Sequence, residues 1–187
     1  MGVAFCLNSA NVDRDIRARS IAVVERKVAV MADEIKNVFI SHIHEDDAGL
    51  NDLKELAAKH GLEVRDSSIT SEKPNTAKDP EYIKQGVLAP QIEWASTLVV
   101  YISPETKDSE WVHWEIEYAH KLGKRIIGVW ERGDNECEVP EALDRYGDAL
   151  VGWSGESIVD AISGKSNDWR DRRGELRGSR PIKRYQC

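Results

Sequence analysis

A chain of 187 residues, 41% hydrophobic and 32% charged, is long enough for one buried core with short extensions. The apolar stretch at 21–31 is too short and too charged for a membrane span or a secretory signal, so we expect a cytoplasmic protein without a membrane partner. The net charge of −7 divides into +2 over residues 1–30, −14 over 31–164 and +5 over 165–187. The acidic centre argues against nucleic acid as a partner, because it repels phosphates.

Strands and helices are predicted to alternate after an N-terminal extension, residues 1–35, that we place outside the core. The elements predicted in the first half are a strand at 37–41, a helix from about Leu50 to Gly61, a weak strand at 62–65, an exposed loop at 67–79, and a helix that starts at Asp79–Pro80 and is broken or kinked at Pro90. Short apolar runs such as Val38-Phe-Ile are typical of strands buried on both faces.

The alternation continues in the second half. Its predicted elements are a strand at 97–102, a helix from Glu110 to Leu122 closed by Gly123, a strand at 125–130, a short helix at 140–144, a weak strand at 149–151 and a helix at 156–162. We predict a flavodoxin-like, doubly wound α/β domain over residues 36–163. Its mostly parallel sheet has four or five strands in the order 2-1-3-4-5, with helices on both faces. Residues 164–187 are interpreted as a basic C-terminal tail, mobile or ordered against a partner.

Ligands of doubly wound sheets bind beyond the carboxyl ends of the strands, so polar residues that follow predicted strands are candidate binding residues. These are Ser41, His42 and His44 after the first strand, Asp66, Ser67 and Ser68 after the second, Ser103 after the third, and Glu131 and Arg132 after the fourth. His42 and His44 precede acidic residues, which suggests a metal site. We favour a solvated loop instead, because acids stabilise a helix start, and we predict no metal. Three scattered cysteines predict neither disulfides nor zinc.

Within the helix predicted from Glu110, the residues that share the face toward the sheet are Val112, Ile116, Ala119 and Gly123. Trp111, Glu115 and Tyr118 form the adjacent stripe. Glu115 therefore lies near the helix start, beside the strand ends. Its position makes it either a functional carboxylate or an ordinary surface residue.

Several segments together resemble TIR domains. Val38-Phe-Ile-Ser41 resembles their opening strand, and Leu98-Val-Val-Tyr-Ile-Ser-Pro104 resembles their third strand. Glu110-Trp-Val-His-Trp-Glu-Ile116 is similar to the Trp-x-x-x-Glu segment of NAD-cleaving TIR domains. Ala89-Pro-Gln-Ile-Glu-Trp-Ala95 is similar to the bacterial TIR-like proteins of the Thoeris antiphage system. The resemblance covers about residues 36–163.

The resemblance implies that NAD is the substrate and that Glu115 is its catalytic carboxylate. It also implies an ADP-ribose-type product, cyclic or conjugated or free, that signals to a separate effector protein in antiphage defence, and self-association through the TIR domain. No G-x-G-x-x-G fingerprint is present, so NAD would be a substrate and not a cofactor, and no other cofactor is expected. The substrate-binding residues expected on this basis are Trp111, Ser41, His42, Asp66 and Ser103. Trp111 would pack against the ribose or a ring, with simple core packing as the alternative.

Two other functions remain open from the sequence. One is a non-enzymatic TIR module that acts only by self-association, which would release no nicotinamide. The other is an enzyme like the nucleoside deoxyribosyltransferases, which also use a glutamate at a glycosidic bond and would exchange bases between deoxynucleosides. A phospho-acceptor receiver fits poorly, because Ser103 stands where a receiver needs Asp.

Overall fold

The computed structural model describes residues 34–43, 46–68, 79–133 and 137–177. The chain divides into two units between Asp33 and Glu34. The predicted N-terminal extension, residues 1–35, therefore lies outside the described residues apart from Glu34 and Ile35, which already belong to the first strand. Over the described ranges, every helix is too short or too polar to cross a bilayer.

Five strands and five helices alternate along the described chain. The strands are β1 (Glu34–Ser41), β2 (Leu62–Asp66), β3 (Thr97–Ile102), β4 (Arg125–Trp130) and β5 (Ala149–Val151). The helices are α1 (Asp47–Lys59), α2 (the continuous segments Pro80–Tyr82, Ile83–Leu88 and Ala89–Trp94), α3 (Glu110–Lys121), α4 (Glu141–Tyr146) and α5 (Gly155–Ile162), with a 3₁₀ turn at Thr106–Asp108. The helices α1 and α3 end just before the predicted glycines. Gly61 and Gly123 adopt φ of 81° and 65°, a backbone conformation in which other residues are strained.

All the strand pairs are parallel, and the sheet order is β2-β1-β3-β4-β5. The predicted fold class and strand order are therefore confirmed. Every residue of β3 is buried, and in β4 only Arg125 is not. Strands this apolar form here because helices cover both faces of the sheet.

The two faces of the sheet carry separate core layers. In what we call the α1/α5 layer, Val38, Ile40, Val99, Tyr101 and Val129 pack against α1 and α5. In the α2/α3/α4 layer, Phe39, Leu98, Val100, Ile102 and Trp130 pack against the other three helices. Neighbouring residues of one strand point to opposite faces, which divides each strand between the two layers.

The irregularity predicted at Pro90 lies earlier in α2. The segment Ile83–Leu88 is a π-helix, and the backbone N–H of Ala89 donates to the carbonyl of Lys84, five residues earlier. Proline provides no N–H, and its ring crowds the carbonyl of the preceding turn, so a widened turn before Pro90 accommodates it without ending the helix.

Residues 165–177 differ from the mobile segment that the sequence suggested. Trp169 forms a parallel bridge with Leu150, next to the edge strand β5. The Arg125 guanidinium donates to the carbonyls of Ala161 and Ser166 at 2.6 and 2.7 Å, and the Trp130 indole N–H donates to the carbonyl of Arg170 at 3.0 Å. An isolated bridge lacks the alternating pattern that identifies a strand in a sequence, so this docking had no periodic signal.

The contact of Trp169 with the α2/α3/α4 layer should contribute measurably to stability. We expect Trp169→Ala to lower the free energy of unfolding by about 2–4 kcal/mol, because a large apolar contact is lost. Leu176→Ala in the same segment is the matched control, since Leu176 is 65% exposed and should change stability by less than about 0.5 kcal/mol. Urea denaturation of both variants measures the difference. Equal effects would show that the segment is not docked.

Candidate active site

The candidate site lies at the carboxyl end of β1, where the order of the strands reverses. The helix after β1 covers one face of the sheet and the helix after β3 covers the other. Such a switch point leaves a crevice between the two strand ends, which is where doubly wound folds bind ligands. Ser41 is the last residue of β1 and pairs with Val100 of the neighbouring strand, and its side chain points toward the helix that follows β3.

Ser41 and Glu115 meet in a buried hydrogen bond. The Ser41 hydroxyl donates to Oε2 of Glu115 at 2.5 Å, a short distance typical of a hydroxyl on a carboxylate. Glu115 belongs to the buried face of α3, beside Val112 and Ile116, and only 6% of its surface is exposed. Ser109 caps the start of this helix by accepting from the N–H of Val112. The structure thus brings together two of the residues that the sequence predicted for the site.

Burial changes the acidity of Glu115. Loss of hydration raises its pKa from 4.5 to about 8, and the hydrogen bond from Ser41 opposes this rise. No Lys, Arg or His among residues 34–43, 46–68, 79–133 and 137–177 forms an ion pair with this carboxylate. A buried carboxyl of raised pKa without a cation is a candidate functional group, because a positively charged ligand would favour its ionised form.

Trp111 lies one helical turn before Glu115 in α3, and Lys84 of α2 lies against its ring. Trp111 is 38% exposed, so it does not fill the core as the alternative interpretation required. The ammonium of Lys84 lies 5.6 Å from the ring centre of Trp111 and 5.9 Å from that of Trp114. This cation–π arrangement places a positive charge against aromatic surface. Sequence reasoning missed Lys84, because it comes from α2 and only the packing of α2 on α3 brings it to Trp111.

His42 follows Ser41 directly and is half-buried. Its Nδ1–H donates to the carbonyl of Ile40 at 2.9 Å, which orients the ring against the end of β1. His44 and Glu45, which belong to the same loop, lie outside the described residues. In the remainder of the chain that the structure describes, no three His, Cys, Asp or Glu side chains converge as a metal site would need.

Asp66 serves the local structure at the end of β2. Its carboxylate accepts from the backbone N–H and the hydroxyl of Ser68, both at 2.9 Å, and from the Lys54 ammonium at 3.2 Å. Ser67 donates its hydroxyl to the carbonyl of Gln91 at 3.2 Å, tying this turn to α2. The side chains of Asp66 and Ser67 thus have hydrogen-bond partners within the protein. A binding role for Asp66 stays a prediction.

Ser103 belongs to a different group of side chains. Its hydroxyl lies 2.8 Å from that of Thr106, and it also hydrogen-bonds Asp46. Burial raises the pKa of Asp46, and the nearby charge of Glu131 adds to the rise while the Ser103 bond opposes it. The hydrogen bonds of Ser103 thus lead to the start of α1 and not to Glu115, and its predicted role as a substrate contact stays untested. Glu131, another rim candidate, stands near Asp46.

The chain is similar to known proteins of the TIR type. Residues 39–136 match the family model described as "Thoeris protein ThsB, TIR-like domain". A protein of Cytobacillus dafuensis named "Putative cyclic ADP-D-ribose synthase TIR2" is 27% identical over 109 residues, which are 57% of this chain and 28% of that protein. The match therefore spans little more than a quarter of the relative's length.

Two solved structures are similar at low identity. The CMP N-glycosidase BcmB of Clostridium botulinum is 18% identical with a TM-score of 0.43, covering 70% of this chain and 100% of its own. The TIR domain of the Toll-related receptor TRR-2 from Hydra magnipapillata is 18% identical with a TM-score of 0.44, covering 68% of this chain and 92% of its own.

The raised pKa of Glu115 predicts a pH-dependent stability. Between about pH 4.5 and about pH 8 the unfolded chain releases this proton while the folded chain keeps it. The free energy of unfolding should therefore fall as the pH rises, by at most about 1.4 kcal/mol per pH unit from this group. Glu115→Gln cannot ionise, so it should gain stability relative to the wild type between pH 5 and pH 8. Urea denaturation at both pH values measures the gain, and exposed Glu117→Gln should show none.

Proposed function

The chain belongs to the TIR-like domain family of the Thoeris protein ThsB, and on this basis we propose that it cleaves NAD between nicotinamide and ribose with Glu115 as the catalytic carboxylate. The observation that carries the proposal is the buried Glu115 carboxyl at the carboxyl end of β1, held by Ser41 and without a cation among the described residues. The Trp-x-x-x-Glu spacing of Trp111 and Glu115 agrees with it.

The chemistry of NAD gives this carboxylate a role. As the glycosidic C–N bond breaks, its electron pair moves to the pyridinium nitrogen and neutral nicotinamide departs. Positive charge then develops on the ribose, as in other glycosidic cleavages. A fixed carboxylate in a site of low polarity stabilises that charge far more than water does, because its orientation is already set. The pyridinium ring of bound NAD supplies a positive charge, so binding favours the ionised form of Glu115.

Three neighbours of Glu115 have proposed roles. Ser41 fixes one carboxylate oxygen and favours ionisation by donating its hydrogen. Trp111 offers an exposed aromatic face for the ribose or a ring. Lys84, held over that indole and without a carboxylate partner among the described residues, offers a positive charge to the phosphates of NAD. His42, Asp66 and Ser103 remain proposed substrate contacts.

Capture of the ribosyl cation decides the product. Water gives ADP-ribose, whereas a nucleophile within the same molecule gives a cyclic product. The name of the Cytobacillus dafuensis relative supports a cyclic ADP-ribose product. The match to a Thoeris family supports the remaining parts of the proposal. The product acts as a signal to a separate effector protein in antiphage defence, and the chain self-associates through its TIR domain.

Replacing the carboxylate tests the proposed chemistry. Glu115→Gln keeps the shape of the side chain and removes its negative charge, so kcat for nicotinamide release should fall about 100–1000-fold, equivalent to about 3–4 kcal/mol. Glu117→Gln, an exposed position two residues along the same helix, should retain activity. Mass spectrometry of NAD reactions measures nicotinamide and the ADP-ribose-type products together. Activity of a well-folded Glu115→Gln protein equal to that of the control would contradict the catalytic role. Absence of nicotinamide release from the wild type under all triggers would favour the self-association module.

The pH dependence tests the same carboxylate. Since the ionised form is needed, kcat/KM should rise with pH through an apparent pKa near 8 in the free enzyme, whereas kcat should rise at lower pH because bound pyridinium favours ionisation. Ser41→Ala removes the hydrogen bond that lowers the pKa of Glu115 and should shift the kcat/KM profile upward by about 1–2 pH units, from the usual strength of a bond to a charged group. Ser96→Ala, which loses a hydrogen bond to the carbonyl of Asn37 in the middle of β1, should leave the profile in place.

A further inference from the structure

A second cleft opens at the carboxyl ends of β4 and β5. Its volume is about 340 Å³, enough for a small phosphorylated molecule. The residues that line it are Glu131, Gly133, Gly152, Trp153, Ser154, Ser157, Arg170, Arg172, Arg173 and Gly174. It thus lies between the two last strands, the first turn of α5 and the segment 170–174 that follows that helix.

Arginine dominates the charge of this lining. Among the described lining residues, Arg170, Arg172 and Arg173 contribute three guanidinium groups and Glu131 contributes one carboxylate. An excess of guanidinium groups around a concave surface attracts anions, and the planar fork of arginine matches the oxygens of phosphate. This concentration contrasts with the acidic residues 31–164 that make up most of the domain.

Arg170 is held in place by its own contacts. It donates from Nη1 to the carbonyl of Gly174 at 3.0 Å and from Nη2 to Asp168 at 2.6 Å. A guanidinium has five N–H groups, so these two bonds fix the side chain and still leave donors for a ligand. Gly174 adopts a φ of 83°, which favours glycine and closes the turn that presents the neighbouring arginines.

The remaining lining includes two serines and one tryptophan. Ser154 directly precedes α5 and Ser157 lies in its first turn, and the Ser154 hydroxyl does not cap the helix. The Trp153 indole meets the ring of Tyr101 edge-on, with centres 6.1 Å apart. Hydroxyls complement phosphate oxygens, and the indole offers apolar surface to the rest of a ligand.

This cleft is separate from the crevice around Glu115. Trp153 and α5 belong to the α1/α5 layer, whereas the helix that carries Glu115 belongs to the α2/α3/α4 layer on the other face of the sheet. Both openings share the carboxyl edge of the sheet, but Ser41 belongs to β1 whereas the second cleft lies at β4 and β5.

We propose that the arginine cleft binds the phosphate or diphosphate group of a small molecule other than the NAD in the Glu115 crevice. Arg173 is the key contact, because its guanidinium is exposed and has no partner among the described residues, while Arg170 is already anchored. The site goes beyond the proposed NAD cleavage and does not depend on it. A ligand there would contact α5 and the segment after it, without entering the catalytic crevice.

Calorimetric titration with inorganic diphosphate and with adenosine diphosphate tests the proposal on the full chain. We expect saturable binding to the wild type at about 0.1 M salt, weakened at least tenfold by Arg173→Ala. Arg177→Ala removes the same charge from an exposed position outside the lining and should change the affinity less than twofold. Urea denaturation of each variant confirms that the fold is retained.

The Glu115→Gln variant separates this site from the proposed function. Diphosphate should bind it as tightly as the wild type, whether or not NAD is cleaved by either protein. If Arg173→Ala and Arg177→Ala weaken diphosphate binding equally, the binding comes from general surface charge and not from the cleft, and the proposal is overturned. Absence of saturable binding would also overturn it. An increase in the KM for NAD with Arg173→Ala, together with loss of diphosphate binding in Glu115→Gln, would make the cleft part of the substrate site and overturn the claim of a second ligand.

Discussion

The hydrogen bond between Ser41 and Glu115 is the contact on which the proposed chemistry depends, because it joins the end of β1 to α3 inside a buried crevice. Ionising a carboxyl in such a place is costly unless a cation or hydrogen bonds compensate. The described part of the chain supplies one hydrogen bond and no ion pair for Glu115. In the proposed function, the nicotinamide ring of NAD brings the positive charge that favours ionisation of Glu115.

The rest of the fold can be understood as support for that contact. Apolar strands buried on both faces hold the backbone of β1 rigid, so Ser41 has little freedom to move away from Glu115. Val112 and Ile116 fix the rotation of α3 by packing on the sheet, and this rotation directs Glu115 inward. The packing of the apolar core thus holds Ser41 and Glu115 together in the interior, although burying two polar side chains is unfavourable by itself.

Charge is separated along the carboxyl edge of the sheet. Asp46 and Glu131 stand near one another at the ends of the strands, and each raises the cost of ionising Tyr101. Beyond Glu131 the lining becomes rich in arginine. After the first strand this chain has His42, His44 and Glu45. The described cations near the rim include Lys84 from α2 and the arginines of the segment after α5.

The local pattern of the sequence was sufficient for the elements and their order. Apolar runs, the glycines after two helices and the alternation of strand with helix led to the parallel sheet and the order 2-1-3-4-5, since these features act over a few residues. The Trp-x-x-x-Glu spacing singled out Glu115. Periodicity could not reveal the docking of residues 165–177, because it consists of isolated bridges and side-chain contacts.

The sequence by itself therefore determined the fold class and the carboxylate to examine. Only the tertiary structure decided which predicted residues meet: it joined Ser41 to Glu115, engaged Asp66 with Ser68 and Lys54, and gave Ser103 other partners. It also brought Lys84 to Trp111. The physical reason is that burial and contact depend on how distant segments pack across the sheet, whereas a sequence pattern records only which face of its own helix or strand a residue occupies.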